Sequence, residues 1–170
     1  MREFPVAGAA PVLALKRSSK MAENVLFAPP GAPSELEEGA ALTPKFGPDG
    51  LISCVVTDAA SGAVLMVAHM NAEALTKTIA TGEAWYFSRS RGALWRKGES
   101  SGHFQRVVEM RIDCDQDAVW IKVEQTGGAC HTGRRSCFYR AVPLGKSGTV
   151  ALEFRDERLF DPAEVYRKRD

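Results

Sequence analysis

The sequence lacks several features that mark whole classes of protein. No apolar run approaches the roughly 20 residues that a transmembrane helix requires. The Ala- and Pro-rich N-terminal stretch to Leu15 is interrupted by Pro5 and Pro11, and no A-x-A-like cleavage site follows it before Lys16 and Arg17. The 22 basic and 21 acidic residues leave a net charge of only +1, so there is no excess of positive charge for nucleic acid or an anionic membrane. We therefore expect a cytoplasmic protein without a nucleic-acid or membrane partner.

Cysteine is also scarce. The four residues are Cys54, Cys114, Cys130 and Cys137. Two disulfides would be possible in a secreted chain, whereas reduced cytosolic thiols more often bind metal or react. Cys54 lies within an apolar stretch, which predicts a core residue. The other three cysteines lie late in the chain, which favours a metal site over disulfides.

The composition, 45% hydrophobic and 25% charged, is that of a soluble globular protein with one domain. Residues 1–45 are rich in Ala, Pro and Gly in their first part and predict a flexible N-terminal extension. The compact domain is expected at residues 46–142. Residues 143–170 predict a C-terminal extension with a short helix that begins at Asp161-Pro162.

Within the compact domain, hydrophobic alternation and turn residues predict mainly β-structure. Asn71 is a good helix N-cap and Gly82 a helix stop, so one helix is expected between them. A second short helix is expected at 35–42. Strands are predicted at 51–57, 63–69, 84–88, 93–96, 105–114, 118–124 and 137–142. The prediction is a single α+β domain dominated by antiparallel strands, with a few short helices.

The spacing of the three late cysteines is compatible with a catalytic zinc site. Cys114, Cys130 and Cys137 are sixteen and seven residues apart, without the C-x₂₋₄-C knuckle of closed structural sites. Three thiolates would leave a fourth position for water, whose pKa zinc lowers to about 7. Spacing alone leaves open that these are small buried residues or strand residues.

A second candidate site is the acidic segment around Cys114. On an extended strand, Asp113, Asp115 and Asp117 project to one side and Cys114 to the other. Crowded carboxylates suit a hard cation such as Mg²⁺. The alternative is a solvated acidic turn. Because the thiolate and the carboxylates would face opposite ways, one ion is not expected to bind both, and two metal sites are predicted.

The histidines and a basic segment supply further candidates. His131 directly follows Cys130, and an imidazole beside a metal-bound water can move protons near neutral pH; it could instead be a fourth zinc ligand or an exposed loop residue. His103 is expected at the surface or beside substrate, and His69 in the core.

The basic segment runs from residue 86 to residue 106. Its cations, hydroxyls and indole suit phosphate and a base, although a solvated basic hairpin would look the same. The candidate substrate-binding residues are Arg89, Arg91, Trp95, Lys97, Ser100 and Ser101.

Taken together, these motifs resemble the phosphoribosyl-AMP cyclohydrolase family. The resemblance covers about residues 46–142 and rests on the segments Met70–Leu75 (MNAEAL), Tyr86–Arg91 (YFSRSR), Leu94–His103 (LWRKGESSGH), Asp113–Ala118 (DCDQDA), Ala129–Gly133 (ACHTG) and Ser136–Phe138 (SCF). It implies an intertwined homodimer, with one zinc per subunit on Cys114, Cys130 and Cys137, where Cys114 comes from the opposite subunit. It also implies one Mg²⁺ per subunit on Asp113, Asp115 and Asp117.

The function implied by this resemblance is a step of histidine biosynthesis. Zinc-activated hydroxide would attack C6 of the adenine ring of phosphoribosyl-AMP, a small-molecule nucleotide, and the N1–C6 bond would open, with His131 as the proton carrier. One alternative is a zinc-stabilised module that binds nucleic acid or protein. Such a module would require a fourth protein ligand to the zinc. Another is a zinc deaminase, whose H-x-E and P-C-x-x-C motifs are absent.

Overall fold

The computed structural model describes residues 27–29 and 31–166. In chain order, the elements are α1 (Pro33–Glu38), β1 (Ile52–Asp58), β2 (Val64–Met70), α2 (Ala72–Thr81), β3 (Trp85–Ser88), β4 (Ala93–Arg96), β5 (Gln105–Ile112), β6 (Ala118–Gln125), β7 (Arg140–Ala141), β8 (Glu153–Phe154) and α3 (Pro162–Val165). Residues 1–26 of the predicted N-terminal extension and residues 167–170 lie outside this description.

A four-stranded sheet in the order β2-β1-β6-β5 forms the centre of the molecule. The pairs β1–β2 and β5–β6 are antiparallel, whereas β1 and β6 run parallel, with Ser53 opposite Ala118 and Asp58 opposite Val123. Strands β3 and β4 form a separate hairpin, and β7 pairs with β8. A single α+β domain with mostly antiparallel pairs is thereby confirmed. The parallel central pair was not predicted.

The core lies on the sheet and beneath helix α2 and the β3–β4 hairpin. Cys54 is fully buried, as predicted, and desolvation raises the pKa of its thiol to about 12. A neutral thiol in this position packs as a small apolar residue. The other fully buried side chains include Ile52, Val56, Leu65, Met70, Leu75, Tyr86, Val119, Ile121 and Val123.

Helix α2 begins and ends where the sequence predicts. The Asn71 side chain accepts a hydrogen bond from the Ala74 amide at 2.8 Å, which satisfies a donor that the helix leaves free at its N-terminus. Gly82 ends the helix in the left-handed conformation, with φ 69°. Leu75 and Thr78 are buried on the face towards the sheet, and Lys77 pairs with Glu73 on the outer face.

Strand β5 departs from a strict alternation, which would place Val108 on the same face as Met110 and Ile112. The pairing with β6 shifts between Val107 and Glu109, so that Val108 is an extra residue in the strand and is 46% exposed. Residues Val107, Met110 and Ile112 pack against the core instead. The strand also ends at Ile112, two residues before the predicted end.

Two other predicted boundaries were wrong. Helix α1 covers Pro33–Glu38 rather than 35–42, because Pro33 occupies its first position, where the missing amide hydrogen costs nothing. The last predicted strand, 137–142, reduces to Arg140–Ala141 in β7. Among the described residues, no helix has the length and apolarity needed to cross a bilayer.

Candidate active site

The acidic segment forms the turn between β5 and β6. The segment is not extended as predicted, yet the turn brings ligand oxygens of Asp113, Asp115 and Asp117 within 4.8 Å of one another. Gln116 makes this possible by adopting a left-handed backbone with φ 59°, an uncommon conformation for a residue other than glycine. The convergence of the three carboxylates was therefore predicted for the wrong reason.

Gln116 anchors the acidic turn to the segment that precedes the domain. Its side-chain amide donates to the carbonyls of Leu36 and Ala41, at 3.1 and 3.2 Å, and its side-chain oxygen accepts from the Thr43 amide at 2.8 Å. Its backbone carbonyl accepts from the Lys45 amide at 2.7 Å. Only 4% of Gln116 is exposed, so these bonds satisfy buried polar groups.

The electrostatics of the turn favour a cation. The charge of Asp115, with smaller effects of partial desolvation and of Asp113, raises the pKa of Asp117 above its ordinary value. The ammonium group of Lys45 lies 3.4 Å from Asp115. Three carboxylates that repel one another are the donor set that suits Mg²⁺, which prefers oxygen ligands. The residues present therefore fit a magnesium ion.

Cys130 and Cys137 come together in the loop that follows β6. The Cys130 amide donates to the Arg134 carbonyl at 3.1 Å, which closes the loop, and the Cys137 amide donates to the Leu65 carbonyl at 2.7 Å, which ties the loop to β2. Burial and the neighbouring Cys130 thiol raise the pKa of Cys137 to about 12. Two adjacent thiols of this kind ionise far more readily when a metal ion binds them.

Lys97 supports the same loop through a hydrogen bond to its backbone. It is 8% exposed, and its ammonium donates to the Ala129 carbonyl at 2.5 Å. Burial lowers the pKa of Lys97, while the nearby Cys137 and Cys130 act in the opposite direction. A buried cation next to two potential thiolates offsets their negative charge, so Lys97 holds the position and the charge balance of the cysteine pair.

A cleft of about 520 Å³ opens beside the two cysteines. This volume lies within the usual range for small-molecule sites. The cleft gathers five of the six candidate substrate-binding residues together with a histidine and a cysteine, namely Arg91, Trp95, Lys97, Ser100, Ser101, His131 and Cys137. Met66, Leu94 and Tyr166 also line it, and neither periodicity nor spacing had pointed to them.

Cys114 lies at the opposite end of the sheet from this cleft. Strand β6 begins beside the acidic turn and ends beside the cysteine loop, and its eight residues span about 26 Å at roughly 3.3 Å per residue. Within the described part of one chain, the three cysteines accordingly form no cluster comparable to that of the three aspartates. A single chain thus offers two of the three predicted zinc ligands in one place.

Comparison with known proteins decides the family. The sequence profile of the phosphoribosyl-AMP cyclohydrolases matches residues 66–139. A Nitrobacter winogradskyi protein named phosphoribosyl-AMP cyclohydrolase is 71% identical over 135 residues, which cover 79% of this chain and 93% of that protein. One of the same name from Bradyrhizobium sp. strain ORS 278 is 73% identical over 129 residues, which cover 75% of this chain and 99% of its own. The chain belongs to the phosphoribosyl-AMP cyclohydrolase family. The resemblance drawn from the motifs is confirmed.

The cysteine loop fits the zinc that is expected of a phosphoribosyl-AMP cyclohydrolase. Thiolates are preferred zinc ligands, and Cys130 and Cys137 already lie side by side. The Thr132 hydroxyl lies 3.1 Å from the Cys130 sulfur, where it can donate to a thiolate and fix its orientation. The donor set is therefore suitable, with the third thiolate to come from outside the loop.

Three residues considered at the sequence level lie outside the cleft lining. Arg89 is exposed after β3. Desolvation, with a smaller effect of the Arg89 charge, lowers the pKa of His69. His69 is half-buried on β2 rather than a core residue. His103 is half-buried, with its ring centroid 4.5 Å from that of Phe160. Burial, and to a smaller extent Lys97, lower the pKa of His103, so this imidazole packs as a neutral group.

Proposed function

We propose that this chain catalyses the hydrolytic opening of the adenine ring of phosphoribosyl-AMP, a step of histidine biosynthesis. Family membership supports the reaction, and relatives about 70% identical carry that name. The observation that carries the proposal here is the cleft, which places an imidazole, an indole and buried and exposed cations beside a pair of cysteines.

The reaction adds one water molecule across the N1–C6 bond. The water oxygen becomes the carbonyl oxygen on C6, the bond to N1 breaks, and the two water protons end on N1 and on the exocyclic nitrogen. Zinc, when bound by Cys130 and Cys137 with a third thiolate, lowers the pKa of a water molecule to about 7 and so supplies hydroxide at neutral pH.

The residues of the cleft have separate tasks in this proposal. His131 lines the cleft beside Cys137 and is the group that carries a proton from water towards the departing nitrogen. Trp95 offers an aromatic face to the base. Arg91, Ser100 and Ser101 supply the donors for phosphate and ribose, which turns an encounter into an oriented complex.

The third thiolate and the magnesium site come from a second copy of the chain in this proposal. Cys114 precedes β6 and the cysteine loop follows this strand, and within the described residues of one chain Cys114 forms no ligand cluster with Cys130 and Cys137. In a homodimer related by a two-fold axis, the acidic turn of each copy, with its Cys114, would lie beside the cysteine loop of the other copy, so both sites would be completed in the same way. The same exchange would bring the Mg²⁺ ligands Asp113, Asp115 and Asp117 next to the partner's cleft.

One assay tests the proposed activity. Purified protein is mixed with phosphoribosyl-AMP, and ring opening is followed by absorbance, before and after treatment with a zinc chelator and after zinc is returned. We expect turnover that chelation abolishes and zinc restores. Absence of turnover in protein that contains one zinc per chain would refute the function. Turnover that persists after zinc has been removed would refute the zinc-dependent mechanism.

A further inference from the structure

The chain after β7 returns to the cysteine loop and is fastened to it. The Arg155 amide donates to the Tyr139 carbonyl at 2.9 Å, and the Arg134 guanidinium donates to the Asp156 carbonyl at 3.2 Å. The Arg134 guanidinium also lies over the ring of Tyr139, 4.1 Å from its centroid. Residues 153–166, here called the C-terminal segment, therefore follow the loop rather than leave the domain.

Gly133 makes the closest contact with the C-terminal segment. Its carbonyl accepts from the Leu159 amide at 2.7 Å and from the Phe160 amide at 3.3 Å. Gly133 has a φ of +88°, which disfavours residues with a side chain. A Cβ atom placed on Gly133 would lie only 2.2 Å from the Phe160 carbonyl oxygen, so there is no room for a side chain. At Gly128, a Cβ atom would lie 2.9 Å from the Phe160 ring. The loop and the segment are thus fitted to each other.

A short helix then directs the end of the segment towards the cleft. Asp161 caps α3 by accepting from the Ala163 amide at 2.9 Å, and the Tyr166 amide donates to the Pro162 carbonyl at 2.9 Å. The Tyr166 side chain is 43% exposed and lines the cleft that also contains His131 and Trp95. Tyr166 therefore lines a space of about 520 Å³, which is large enough for a ligand.

We propose that Tyr166 is a substrate-binding residue whose ring stacks on the base of the nucleotide. The apolar lining of the cleft includes Met66, Leu94, Trp95 and Tyr166, whereas the basic and hydroxyl side chains in its lining suit phosphate and ribose. A planar base is the part of a nucleotide that gains from an aromatic face, and such stacking is worth about 1–3 kcal/mol per base. The inference rests on the proposed function, because it assumes a nucleotide in this cleft.

Four variants test this assignment. Tyr166→Ala and Tyr166→Leu should each raise KM for phosphoribosyl-AMP about tenfold, within the roughly 5- to 150-fold range that 1–3 kcal/mol implies, with kcat changed less than about threefold. Tyr166→Phe keeps the ring and should retain the wild-type KM. Leu144→Ala is the control, because Leu144 is 89% exposed and outside the cleft. Zinc content and thermal unfolding establish that each variant is folded.

Binding of AMP gives a second readout that needs no turnover. Equilibrium dialysis should show the same weakening for Tyr166→Ala and Tyr166→Leu, and none for Tyr166→Phe. A wild-type KM and AMP affinity in Tyr166→Leu would overturn the stacking role, as would a loss in Tyr166→Phe equal to that in Tyr166→Ala. Failure of the wild-type protein to turn over phosphoribosyl-AMP, with these AMP affinities as expected, would refute the proposed reaction and leave the contact to the base intact.

Discussion

The two ends of strand β6 carry different candidate metal ligands and are held in different ways. At its start, the acidic turn presents Asp113, Asp115 and Asp117 and is anchored to the preceding segment through the buried Gln116. At its end, the cysteine loop presents Cys130 and is supported by the buried cation and the C-terminal segment. The three carboxylates thus precede β6 and the pair of Cys130 and Cys137 follows it, while the thiol of Cys114 lies with the carboxylates.

Because of this separation, neither end of β6 by itself has all the ligands that the proposed chemistry requires. The acidic end has carboxylates and one thiol, Cys114, whereas the cleft lined by the predicted substrate residues lies at the cysteine end. The cysteine end has the cleft and two thiols but lacks the third. Two copies that exchange ends would complete both sites, and the following experiments test that comparison.

The largest effect is expected at the cysteine end. Cys130→Ser and Cys137→Ser should lose zinc and all measurable activity, because a hydroxyl is a much poorer zinc ligand than a thiolate. Cys54→Ser should keep its zinc, since Cys54 lies in the core away from the loop. Elemental analysis and the ring-opening assay measure both properties. One zinc per chain in folded Cys137→Ser would contradict the assignment.

Mixed dimers should recover part of that loss. Cys114→Ala and Cys130→Ala proteins are each expected to be inactive, because the two cysteines would serve the same site from different chains. After unfolding and refolding together, about half of the dimers would be mixed and would have one intact site of two, so about a quarter of wild-type activity should return. Zinc should return in the same proportion.

Refolded wild-type protein is the control for the recovery step. If it regains activity while the mixture of Cys114→Ala and Cys130→Ala proteins stays as inactive as either parent, the ligands of a site come from one chain. That result would contradict the proposal that the two ends of β6 complete one site across two chains.

A smaller and separable effect is expected at the acidic end. Asp115→Asn should require at least about tenfold more Mg²⁺ for half-maximal activity, because it removes a charged oxygen ligand, while its zinc content should stay at the wild-type level. Activity is titrated with Mg²⁺ in parallel with elemental analysis. A folded Asp115→Asn protein that loses its zinc would show that the two ions do not have separate ligands.

The smallest effect on activity is expected from the anchor of the acidic turn. Gln116→Ala removes three side-chain hydrogen bonds, one buried and two partly buried, and should lower the free energy of unfolding by about 2 kcal/mol, measured by urea denaturation. Activity should be largely restored at high Mg²⁺. Lys45→Ala removes only an exposed ion pair with Asp115 and should cost less than about 1 kcal/mol. Equal stability of the two variants would argue against the anchor.

The sequence by itself determined the elements whose signals are local. Asn71 and Gly82 fixed both ends of α2, because a capping side chain and a left-handed glycine act within one helical turn. The apolar neighbours of Cys54 were enough to place it in the core. The motifs and their order were enough to identify the family, because each motif is a short contiguous segment that can be read without knowing the fold.

The tertiary structure alone decided what depends on residues far apart in the chain. The parallel pairing of β1 with β6, and the hydrogen bond from the Cys137 amide to the Leu65 carbonyl of β2, follow from how the strands assemble. The turn at Gln116 depends on partners about 70 to 80 residues away, which no local pattern reveals. Tyr166 reaches the cleft only because Gly133 lets the C-terminal segment pack against the loop, a contact set by close packing rather than by periodicity.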